Sequence, residues 1–126
     1  MRENVVKTKS LDFAIRIVQL NHVLISDKKE IVMSKQVLRS GTSVGAMIRE
    51  AEHAESKPDF IHKMAIAQKE INETLYGLEL LFKTDYLNQQ EYNSLSIDAT
   101  ELLKLLTSII KATKANINNS PLTPNN

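Results

Sequence analysis

Six residues, Gly41-Thr42-Ser43-Val44-Gly45-Ala46, lie inside sequence that reads as helix on both sides, yet they give that helix almost no side-chain bulk. Small residues at this spacing let two helix backbones approach closely. Such a segment has a use only where another helix lies against it. The feature commits the chain to helix-on-helix packing. It opens a longer block, Ser40 to Leu81, in which small residues give way to acids, then to a helix-start signal, then to a heptad-like apolar stripe.

The rest of the chain keeps the same period. A first helix is expected from a cap at Ser10, with Leu11, Ala14, Ile15, Val18, His22 and Ile25 inward, flanked by Phe13, Ile17, Leu20 and Leu24. Ser26 to Glu30 reads as a connector, and Ser34 as the cap of a second helix running to about Ala54. Ser56-Lys57-Pro58-Asp59 then supplies a capping hydroxyl, a proline whose missing N–H costs nothing in the first turn, and an acid suited to the helix dipole. The third helix carries Phe60, Met64, Ala67, Ile71, Leu75, Leu78 and Phe82 inward, and Asn88 can cap the fourth. That helix shows Leu95, Ala99, Leu102, Leu106 and Ile109 at a/d-like spacing, with a second line, Leu103, Ile110 and Ile117, every seven residues beside it. Four amphipathic helices with short connections predict an all-α, antiparallel up-down-up-down four-helix bundle over 1–117. Residues 118–126 are polar with two prolines and read as a disordered tail.

Helices one and four each carry more apolar surface than one inward stripe requires. The excess predicts burial against another subunit; the plainer reading is a wide core-facing arc. An apolar fraction of 42% supports a real core, and the absence of cysteine excludes disulfides, thiolate metal sites and cysteine nucleophiles. No apolar run is long enough to span a membrane, so a cytoplasmic protein is expected. A net charge of +1 gives no strong field for nucleic acid.

The chemical candidates are few, and no catalytic set is among them. Glu50 with His53, and Asp59 with His62, sit at i, i+3, a spacing that aims both side chains at one ion; a metal-binding carboxylate/histidine bundle is the alternative function. Both pairs flank the hairpin between helices two and three, which favours a solvated acidic turn with capping roles. Arg49 opposite Glu70 and Glu73 would make a forked, structural ion pair. His22 falls on the stripe of helix one, as a core or interface histidine. Tyr76 is a candidate subunit contact, and Gly77 marks either close backbone approach or an exposed face with nothing to pack. For nucleic acid the candidates are Arg16, Lys28, Lys29 and Lys35, with Arg2, Lys7 and Lys9 nearby; interleaved aromatics are missing.

The GTSVGA, EAEHAESKPDFIHK and ETLYGLELL pieces of the Ser40–Leu81 block resemble the bacterial four-helix-bundle family of 23S ribosomal RNA intervening-sequence proteins. The resemblance implies a small cytoplasmic protein without enzymatic activity or cofactor, assembled as a ring-shaped homopentamer, with RNA or a ribonucleoprotein as candidate partner. The family is also similar to the accessory subunit of diversity-generating retroelements, a basic pentameric barrel. Gly41, Ser43, Gly45, Ala46, Tyr76 and Gly77 are then the expected packing and oligomer residues. Met47 and Gly77 depart from the family pattern, which commonly has asparagine and an aromatic there, and the near-neutral charge departs from the retroelement branch.

Overall fold

Three short interruptions of the helical period set the architecture. Residues 27–31, 52–56 and 84–88 separate α1 (Arg2–Ser26), α2 (Val32–Ala51), α3 (Lys57–Lys83) and α4 (Gln89–Asn119) in a computed structural model. The structure describes residues 2–119, with side chains described from 4 to 117. Connectors this short force each helix to run antiparallel to the one before it. α1 packs on α2 and α4, and α3 packs on α2 and α4, so the four close into a bundle.

Each connector is fixed by local chemistry. Ser56 accepts the Asp59 amide at 3.2 Å, and the Asp59 carboxylate in turn accepts the Glu55 amide at 3.1 Å. Asn88 and Glu91 close a reciprocal capping box, each side chain accepting the other's backbone amide. α1 and α3 end through left-handed residues, Lys29 at φ 59° and Asp85 at φ 69°. These let the Glu30 and Tyr86 amides donate back to Leu24 and Leu81, in Schellman-like closures.

Four expected boundaries move. α1 begins well before Ser10, because the buried row already runs through Val6; Ser10 lies mid-helix, its hydroxyl donating to the Lys7 carbonyl at 2.8 Å. Ser34 does not cap α2. Its amide and that of Met33 donate to the Glu30 carboxylate at 2.7 and 3.1 Å, and its hydroxyl donates to Asn21 of α1 at 2.6 Å. α2 stops at Ala51 rather than Ala54, as the amides of Glu52 to Ala54 tighten onto carbonyls three residues back. α4 runs through Asn119, past the expected boundary at 117, and the expectation for 120–126 lies outside the described residues.

The core is built mainly from the predicted rows of α2, α3 and α4, including Val44, Ile48, Ile71, Leu78, Leu102 and Leu106, each at most 3% exposed. α1 is the exception. Its core row is Val6, which no expectation included, with Phe13, Ile17 and Leu24 of the line expected to flank. Leu11, Ile15, Val18 and Ile25, expected inward, are 48, 48, 40 and 36% exposed. His22 lies exposed on that outer line, so it is no core histidine.

Candidate functional site

Close approach is confined to part of the small-residue segment. A Cβ on Gly41 would come within 2.9 Å of Ile17 Cγ1, and one on Gly45 within 3.3 Å of Ser10 Oγ. These two glycines therefore seat α1 against α2. Ser43 is half-buried and folds its hydroxyl back onto the Arg39 carbonyl at 2.6 Å, while Ala46 is exposed. Gly77 resolves to close approach: a Cβ there would stand 2.5 Å from Val37 Cγ2, across the α2–α3 seam. Ser40 and Thr74 hydroxyls meet at 2.8 Å on the same seam.

The forked ion pair exists, but its cation is Arg39. Its Nη1 donates to Glu70 at 3.2 Å and its Nη2 to Glu73 at 2.7 Å. The Glu73 hydrogen bond, then the charge of Glu70, raises the guanidinium pKa above its ordinary value. Arg49 is exposed and has no described ion pair. The register explains the correction. Arg49 stands in the last turn of α2, whereas Glu70 and Glu73 lie about three and a half to four and a half turns into α3, and Arg39 about three turns back from the end of α2. Counting outward from the five-residue turn would have found Arg39.

The carboxylate and histidine pairs do not converge. Among the described residues no group of three His, Asp or Glu side chains could hold a metal ion. Asp59 is committed to Lys63, both carboxylate oxygens lying 2.8 Å from Nζ. That hydrogen bond, then the Glu55 amide, lowers the Asp59 pKa below the usual carboxylate value, and Asp59 raises Lys63 in return. Glu50, His53 and His62 are exposed around the turn.

The cations divide into two groups. Arg16 bonds Asp98 at 2.6 Å and Ser94 at 2.8 Å, Lys9 bonds Glu101 at 3.2 Å, and Lys7 bonds Glu52 at 3.2 Å, so all three tie α1 to its neighbours. Lys28, Lys29 and Lys35 are exposed and have no described ion pair. The Arg2 side chain lies outside the described residues.

What stands open is the outer face of the α1–α2 hairpin. Leu11, Ile15, Val18, His22 and Ile25 alternate by four and three residues along α1, a coiled-coil seam about 21 Å long. Ser34 and Gly41 of α2 face α1; Leu38, partly buried one position beyond that contact row, continues the apolar surface onto α2. The second line of α4 behaves differently. Ile110 is 8% exposed and Leu103 packs on the core, so there the wide core arc is the correct reading. No helix among the described residues is long and apolar enough to cross a membrane.

These features match known proteins. A solved structure of a protein of unknown function from the S23 ribosomal protein family of Bacteroides thetaiotaomicron is 60% identical, with a TM-score of 0.87. The alignment covers 88% of this chain and 99% of that one. No curated protein matches. Residues 2–108 match the family model described as 23S rRNA-intervening sequence protein, and the chain belongs to that family.

Proposed function

We propose that this protein works by assembly rather than catalysis, as a cytoplasmic bundle that associates with further copies of itself into a homopentamer. The observation that carries the reading is the exposed heptad line on α1. An isolated bundle gains nothing from leaving Leu11, Ile15, Val18 and Ile25 in water, and a helix laid along them would bury all four. The polar groups support the same reading. Most of the ionisable side chains near the seams are spent on ion pairs and caps.

Light scattering of the purified protein tests the assembly. The expected mass is five times that of the chain, and a stable monomer at micromolar concentration would sink the proposal. RNA or a ribonucleoprotein is the proposed partner of the assembly, supported by the family and by the unpaired Lys28, Lys29 and Lys35. A ring would repeat this patch and convert weak contacts into avidity. Binding should then weaken with salt and with Lys28→Gln/Lys29→Gln; unchanged binding in the double variant would remove those lysines from the interface.

A further inference from the structure

A cavity of about 820 Å³ opens to solvent between α2 and α3, away from the α1 line. Its volume falls within the ~300–1,000 Å³ of small-molecule sites. Its lining is uncommon for a bundle groove. Gly77 contributes backbone alone, and beside it Tyr76 is 64% exposed. Lys69, Asn72 and Glu73 precede Tyr76 by seven, four and three residues, which sets them on its face of the helix. From α2 come Gln36 and Arg39.

We propose that this cavity is a nucleobase site. The Tyr76 ring offers a stacking platform, which suits any base because every base has a π-face. Asn72 uses its amide NH2 on the Gln68 carbonyl at 3.1 Å, which turns its carbonyl oxygen to the role of acceptor for a base edge. Gln36 supplies a second amide from the opposite wall. Lys69 is exposed with no described ion pair and stands one turn before Glu73, placed for a phosphate. Arg39 is already held between Glu70 and Glu73, so the local charge is nearly balanced. Recognition here therefore rests on stacking and base edges, with one phosphate contact. The inference rests on the nucleic-acid part of the proposed function and adds base contact on α2 and α3 to the salt-sensitive contacts of Lys28, Lys29 and Lys35.

Two sources share this chemistry, a free nucleotide and a single-stranded RNA. The assembled protein is titrated with AMP, CMP, GMP and UMP by calorimetry, and with a fluorescent eight-nucleotide single-stranded RNA by anisotropy at two salt concentrations. Binding should weaken about tenfold or more in Tyr76→Ala and persist in Tyr76→Phe. Lys69→Gln should lower the dependence of binding on salt by about one unit of log–log slope. Saturation by a mononucleotide with the same Tyr76 dependence identifies a nucleotide site; binding of the oligomer alone identifies an RNA strand. Absence of both, or binding indifferent to Tyr76→Ala, overturns the site. If Tyr76→Ala instead dissociates the assembly in light scattering, Tyr76 is a subunit contact and the proposal is equally overturned. RNA binding that depends on Lys28 and Lys29 but not on Tyr76 overturns this site while leaving the proposed function standing. A monomeric wild type would do the reverse.

Discussion

α1 and α4 carry the same excess of apolar residues, and the bundle treats them in opposite ways. On α4 the second line turns toward α3, where Ile110 is buried and Leu103 packs on the core. On α1 the second line turns outward, because the α1–α4 seam is occupied by Arg16–Asp98 and Lys9–Glu101 and the α1–α2 seam by Ser10, Gly41, Gly45 and Asn21. The seams of α1 are filled by charged and small residues, so its spare leucine, isoleucines and valine stay 36–48% exposed. A doubled stripe is therefore not by itself a sign of assembly. What matters is whether the neighbouring seam has room for it.

That contrast can be broken most sharply by truncating one residue from each line. Ile110→Ala should cost about 2–4 kcal/mol of unfolding free energy, and Ile15→Ala less than about 0.5 kcal/mol in a dissociated chain, read by urea denaturation. Equal costs would erase the distinction between the two helices. The close-approach glycines come next. Gly41→Ala and Gly77→Ala drive a methyl into β-branched Ile17 and Val37, which cannot swing aside, and should each lose about 1–2 kcal/mol despite the better helix propensity of alanine. Ala46→Leu, on the open side of the same segment, should stay within about 0.5 kcal/mol.

A smaller effect separates the two arginines. Arg39→Gln should lower the melting temperature at low salt, because it leaves Glu70, with a side chain 11% exposed, without its cation. Arg49→Gln should leave it unchanged, and the difference should shrink in molar salt. The smallest effect concerns the turn. Asp59 is held below its ordinary pKa, so its contribution is present above the unfolded-state value of about 3.9 and fades as pH falls through the lower folded value. Asp59→Asn should flatten that acid limb in thermal melts by lowering the melting temperature slightly at pH 7, with the two proteins converging as pH falls through the folded value.

Much of the bundle was legible from periodicity and punctuation. The Ser56-Lys57-Pro58-Asp59 start and the Asn88 cap are local devices, decided by residues within one turn of each other, and both stand as read. The errors came where a nonlocal partner decides. Two apolar lines on α1 are indistinguishable until the seams are known, so the pattern alone does not say which one faces inward. Ser10 and Ser34 looked like caps because a hydroxyl before an apolar run carries no mark of burial. Arg39 and Arg49 are the same residue type, and only the register counted from the turn separates them. The Tyr76 cavity had no signal of its own, since Gln36 and Arg39 reach it from another helix.

The central claim is that the outer line of α1 is a contact face for another copy of this chain. Sedimentation velocity of wild type against Ile15→Glu, at matched concentration and with helicity checked by circular dichroism, addresses it most directly. The wild type should sediment as an oligomer and Ile15→Glu as a folded monomer. An oligomer of unchanged size in the variant, or a monomeric wild type, would contradict the claim.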